Sequence, residues 1–188
     1  MNQEKEIIVF DIDKTLIHRN LHELIIELWC AEHFHRRVLA WTTSCLHALC
    51  VVPFLKRRIE YLITAFIPER KLRSLTLQIL NDSDNVHEGL KRRIDRYKRY
   101  NYVVVLVSAT PERVARPLAR ALGVDVYASK SIFGVLTHDL LAKKHKVYRA
   151  MEQQALSIRT IYSDSHLDFW KPSKNFLVEH KAVTRVTT

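Results

Sequence analysis

Three short apolar runs, each stopped by an acidic or hydroxyl side chain, constrain this chain more than any other feature. Ile7-Ile8-Val9-Phe10 stops at Asp11, Tyr102-Val103-Val104-Val105-Leu106-Val107 at Ser108, and Ile158 to Tyr162 at Ser163-Asp164. Val124-Asp125-Val126-Tyr127, after the helix-ending pair Leu122-Gly123, and Phe176-Leu177-Val178 add two further runs. β-Branched runs of this length read as strands buried on both faces. Between them, Glu112 to Leu122 has helical periodicity behind Pro111, a residue favoured in a helix's first turn. Leu140 to Gln154 is a second helix candidate, after a hairpin around Gly134. Strands alternating with helices predict an α/β fold, with a mostly parallel, Rossmann-like sheet covered on both faces.

Residues 19–98 interrupt that rhythm. They hold no convincing strand and read as helices over 21–50, 54–67, 69–80 and 85–99. The simplest organisation is a sheet domain made of residues 1–18 and 99–188, with 19–98 an inserted α-helical module. A sheet tolerates so long a connection when the insertion is itself folded. Inside the insertion, Val38 to Leu55 carries no Asp, Glu, Lys or Arg and is flanked by Arg36-Arg37 and Lys56-Arg57-Arg58. Three readings stand: a buried helix, a helix or hairpin in a membrane interface with residues 36–58 on lipid headgroups, or a membrane-spanning helix near the minimum length.

Lys and Arg number 30 against 20 Asp and Glu, a net charge of +10 that favours anionic partners such as phosphates or acidic lipid. With 3 Gly and 5 Pro, collagen-like and low-complexity architectures are excluded. Cys30, Cys45 and Cys50 lack a metal-binding spacing, so buried thiols in a reducing compartment are expected. The polar start, Met1 to Glu6, lacks the apolar run of a secretory signal, which points to the cytoplasm. The basic runs Lys91-Arg92-Arg93 and Arg96-Tyr97-Lys98-Arg99 alternate with Leu90, Ile94 and Tyr97, as on a solvated amphipathic face, so no nucleic-acid partner is expected. His18 and His22, and His33 and His35, complete no zinc signature and read as surface or substrate-rim residues.

In open α/β sheets the ligand site lies beyond the carboxyl ends of the strands. The residues there are Asp11 and Asp13, then Ser108 and Thr110, then Asp164 and Asp168, with Lys143, Lys144 and Lys146 on the helix entering the last of these strands. Clustered carboxylates repel one another unless a cation sits among them, and hard oxygen ligands suit Mg²⁺. A phosphate ester fits such a site: metal and lysine neutralise its oxygens while a carboxylate attacks phosphorus.

The motifs Asp11-Ile12-Asp13-Lys14-Thr15, Ser108-Ala109-Thr110-Pro111-Glu112, Lys146-Val147-Tyr148-Arg149 and Tyr162-Ser163-Asp164-Ser165-His166-Leu167-Asp168 resemble, in this order, those of the haloacid dehalogenase superfamily of phosphotransferases. The resemblance covers residues 6–18 and about 100–180. The place of the insertion matches the helical cap of the phosphoserine-phosphatase-like branch (subfamily IB). The apolar stretch, its basic flanks and the fourth motif look like the group containing phosphatidylglycerophosphatase C. This resemblance implies a Mg²⁺-dependent phosphomonoesterase, with Asp11 the nucleophile that forms an aspartyl-phosphate. Asp13 would be the general acid and base, and Asp11, Asp13 (through its carbonyl) and Asp164 the metal ligands. Ser108, Ala109 and Lys146 would hold the phosphoryl oxygens, Lys143 and Lys144 being the other candidates for the lysine. Asp168 and Thr15 would support the site from behind. A lipid-linked or membrane-proximal phosphate is the expected substrate, a small soluble ester such as phosphoserine the alternative. A non-catalytic module binding anions or nucleic acid on the same fold, or phosphoryl transfer to an acceptor other than water, also stand. Ser163 and Phe169-Trp170 depart from the family's usual residues around the fourth motif.

Overall fold

The structure, a computed structural model, describes residues 5–32, 53–132, 134–154, 156–179 and 182–186, with only the backbone described for 53–56. Seven strands form one sheet in the order β4-β3-β2-β1-β5-β6-β7: β1 Lys5–Phe10, β2 Val103–Pro111, β3 Asp125–Ile132, β4 Val135–His138, β5 Leu156–Ser163, β6 Lys174–Glu179 and β7 Ala182–Val186. β1 lies at the centre, parallel to β2 and β5, with β3 and β6 parallel outside them. Only the edge strands β4 and β7 run antiparallel. The predicted mostly parallel α/β sheet is therefore present.

Alternate residues of β1 enter opposite hydrophobic clusters. Ile8 and Phe10 face one, Ile7 and Val9 the other. That two-sided burial is why the run reads as uniformly apolar rather than alternating. The first face is covered by α4 (Glu88–Arg99) and α5 (Glu112–Leu122), the second by α6 (Lys144–Gln153). Phe10 stacks on Tyr162 with ring centroids 4.6 Å apart, and Tyr162 on Phe176 at 4.8 Å. α4 joins this stack: Tyr97 hydrogen-bonds the Tyr162 hydroxyl at 2.9 Å and Arg93 donates to it at 3.2 Å. The helix that the sequence groups with the insertion thus packs on the sheet, through Arg93 and Tyr97.

The other described helices of the insertion are α1 (Leu21–Ala31), α2 (Pro53–Phe66) and α3 (Glu69–Leu80). α1 packs on α2 and α3, and α3 on α5, which seats this layer against the core. Gly134, at the β3–β4 turn with φ +80°, lies so close to α2 that an added Cβ would stand 2.7 Å from Leu62 Cα. Of the predicted helix 21–50, α1 forms Leu21–Ala31, while residues 33–50 and most of the apolar stretch 38–55 lie outside the described residues. Among the described residues no helix is long and apolar enough to cross a membrane.

Candidate active site

The carboxyl ends of β1, β2 and β5 converge beneath α1 and α2 on a cavity of about 410 Å³. β1 ends at Asp11, which is 6% exposed. Its Oδ1 accepts from the Ile12 amide at 2.8 Å and from Lys144 Nζ at 2.8 Å. Lys144 also reaches Asp168 Oδ2 at 2.6 Å, and Ser163 donates to the same oxygen at 2.5 Å. Burial drives the Asp11 carboxyl up to about 8; Lys144 opposes this, while Asp13 and Asp168 reinforce it. For Lys144, burial pulls downward, but Asp11 and Asp168 outweigh it and hold the ammonium above the ordinary lysine value. Asp164, at the end of β5, is half-buried, and that desolvation raises its carboxyl. Thr15 is fully buried and its Oγ1 accepts from the Asp164 amide at 2.9 Å, which ties the first and last of these loops together.

Asp13 faces a ring of donors. Its Oδ1 accepts from the Leu21 amide, the first residue of α1, at 2.8 Å; its Oδ2 accepts from Ser108 at 3.0 Å and Thr110 at 2.6 Å. Ser108 is fully buried, so in this conformation its hydroxyl serves Asp13, while Ala109 lines the cavity.

The structure corrects the lysine. Lys146 is exposed, and the lysine against Asp11 is Lys144, the first residue of α6. Two positions along a helix are about 200° apart around its axis, so only one of the two can face the carboxylates.

A family profile for haloacid dehalogenase-like hydrolases matches residues 8–169. The chain belongs to this family. A search of the curated proteins found no match. Among solved structures, a Bordetella pertussis Tohama I protein of unknown function is 16% identical with a TM-score of 0.65, over 88% of this chain and 85% of that one. A phospho-aspartyl intermediate analogue of phosphoserine phosphatase is 17% identical with a TM-score of 0.57, over 88% and 81%. A phosphoserine phosphohydrolase-like protein from Francisella tularensis subsp. tularensis SCHU S4 is 16% identical, with a TM-score of 0.53, over 87% and 80%. At these identities the likeness is one of fold.

In this haloacid dehalogenase-like hydrolase the carboxylates fit a divalent cation by their chemistry. Oxygens of Asp11, Asp164 and Asp168 lie within 4.8 Å of one another, and all are hard donors of the kind Mg²⁺ takes. The insertion contributes Arg57, Tyr61 and Glu60, which sequence reasoning did not single out for the site, and His22, which it read as a surface or substrate-rim residue. Arg57, placed there among residues meeting lipid headgroups, turns inward: it pairs with Asp139 at 3.0 Å and donates to the Ala109 carbonyl at 2.7 Å. Tyr61 donates to the same carbonyl. His22 is buried and meets Glu60 at 3.0 Å, with Glu23 beside them on the cavity wall. His22 and Glu60 stand 38 residues apart, so no local spacing announces the pair. Arg57 and Tyr61 do share one helix face at i and i+4, a signal that was available.

Proposed function

We propose that this hydrolase cleaves phosphomonoesters through an aspartyl-phosphate formed on Asp11. The observation that carries the reading is the buried contact between Lys144 and Asp11 within a carboxylate cluster at the sheet's switch point. Asp11 attacks phosphorus, Asp13 protonates the departing alcohol and then takes a proton from the attacking water. Lys144 and backbone amides near Ile12 and Ala109 balance charge on the phosphoryl oxygens. Ser108 and Thr110 orient Asp13; Asp168 anchors Lys144, and Thr15 anchors the loop of Asp164. Asp11, Asp164 and the Asp13 carbonyl would hold Mg²⁺, with Asp168 close by. The ion would supply Lewis-acid stabilisation of the phosphoryl charge. The described helices α1, α2 and α3 act as the cap over this site.

For the substrate we favour a lipid-linked or membrane-proximal phosphate met at the inner face of a membrane. Leu141 and Leu167 line the cavity mouth from two different loops and are 57% and 69% exposed, which suits an apolar leaving group. A small soluble ester is the second reading, favoured by the fold likeness to phosphoserine phosphatase. Assay of the purified chain with Mg²⁺ against lysophosphatidic acid, phosphatidylglycerophosphate and phosphoserine decides between them. Metal-dependent release of phosphate that Asp11→Asn abolishes is expected; release at the parent rate by Asp11→Asn would refute the mechanism.

A further inference from the structure

Asp13 is reached from the insertion by a continuous chain of hydrogen bonds. Arg57, on α2, donates to the Ala109 carbonyl at 2.7 Å and to the Tyr61 hydroxyl at 2.8 Å, and Tyr61 donates to the same carbonyl. That carbonyl shares its peptide unit with the Thr110 N–H, which donates to Ser108 Oγ at 3.0 Å. Ser108 in turn donates to Asp13 Oδ2 at 3.0 Å. Arg57 is itself fixed by Asp139, whose Oδ1 also accepts from the Leu141 amide at 2.9 Å. Two donors on one carbonyl, one of them cationic, polarise the peptide and strengthen the donor on its far side.

We infer that Arg57 and Tyr61 are positioning residues for Asp13, coupling the seating of the insertion on the core to the orientation of the group that protonates the leaving alcohol. This rests on the phosphomonoesterase reading above. Two features set it apart from ordinary packing. Both side chains converge on a single backbone oxygen near the carboxyl end of β2, and the relay behind that oxygen ends on Asp13. Leu21, the first residue of α1, fixes the other Asp13 oxygen, so the insertion holds the carboxyl from two sides. With Arg57 or Tyr61 altered, the peptide is free to rotate and the Thr110–Ser108–Asp13 register loosens. Proton donation then suffers while nucleophilic attack by Asp11 does not.

The test is leaving-group dependence. kcat/KM covers the steps through the first phosphoryl transfer, where an alkyl alcohol needs a proton and p-nitrophenolate does not. General acid catalysis supplies about 10²–10⁴-fold, so its partial loss in Tyr61→Phe and Arg57→Gln should lower kcat/KM for β-glycerophosphate about 10-fold. For p-nitrophenyl phosphate the same variants should stay within about twofold of the parent, and Arg57→Lys should recover part of the loss because it keeps a cationic donor. Tyr61→Phe keeps the ring and so serves if Arg57→Gln does not fold. Equal losses on both esters, or a change in KM alone, would overturn the inference and make these residues structural or substrate-binding. A parent protein that hydrolyses neither these esters nor lysophosphatidic acid, phosphatidylglycerophosphate or phosphoserine overturns the functional reading along with it. A parent that hydrolyses both, with variants that leave the ratio unchanged, overturns the relay alone.

Discussion

Lys144 and Asp11 set the terms of the site at the scale of single residues. An ammonium buried against two carboxylates is sustained by those carboxylates, and in the proposed mechanism its charge would serve the phosphoryl group. Lys144→Ala is expected to lower kcat by at least about 100-fold, the usual cost of removing a preorganised charge partner. Lys146→Ala, altering an exposed side chain two residues on, should stay within about twofold. Steady-state kinetics of the pair checks the assignment. Asp11 gives a pH prediction for the metal-free protein. Its carboxyl rises from 3.8 to about 8 because burial outweighs the attraction of Lys144. A raised carboxyl contributes stability that is complete below the unfolded value and is lost as pH climbs through the folded one. Unfolding free energy measured in EDTA should therefore fall between pH 4 and pH 8 by more in the parent than in Asp11→Asn, which has nothing to ionise there.

Elements decide what was legible in the sequence. β1, β2 and β5 were readable because burial on both faces makes them uninterrupted apolar runs that end in functional residues. β7 carries no strand signal in the sequence: it is a short edge strand with exposed or half-buried side chains, and among the described residues it pairs with β6 alone. α6 begins at Lys144, later than the periodicity from Leu140 suggests, because Ala142 adopts φ +53° and breaks the helical path. That start is what makes Lys144 face Asp11, and helical periodicity by itself does not choose among three lysines within four positions. The links from Arg57 to Asp139 and from His22 to Glu60 join distant segments, and pairing across such distances leaves no local pattern. The clamp of the β3–β4 turn on α2 gives a prediction at this scale. Gly134→Ala needs a left-handed backbone and meets Leu62 at 2.7 Å. It should destabilise by about 1–3 kcal/mol, read from the urea midpoint. A midpoint equal to the parent's would show that the turn is not pressed against the helix.

Across the whole molecule, a sheet of ordinary α/β design brings three carboxylates together at its centre, and the helical insertion walls off the cavity above them. Lys144 is a single charge among three carboxylates, so the native state should gain more from Mg²⁺ than from a monovalent ion at equal ionic strength. Thermal unfolding should shift upward with Mg²⁺, by more at pH 8 than at pH 5, since binding competes with protons on Asp11. Chelation should abolish hydrolysis, and added Mg²⁺ should restore it. A cavity with polar depths and two exposed leucines at its mouth also predicts a substrate preference. Leu141→Ser with Leu167→Ser should lower kcat/KM for a long-chain phosphate ester several-fold relative to p-nitrophenyl phosphate.

The proposed covalent step on Asp11 is open to direct observation. The protein is mixed with a phosphomonoester it hydrolyses and Mg²⁺, quenched in acid during turnover, digested and weighed by mass spectrometry. The account predicts one phosphoryl group on the peptide that contains Asp11, labile to hydroxylamine and absent from Asp11→Asn. Steady turnover with no phosphorylated Asp11 peptide, or with the label on another residue, would contradict it.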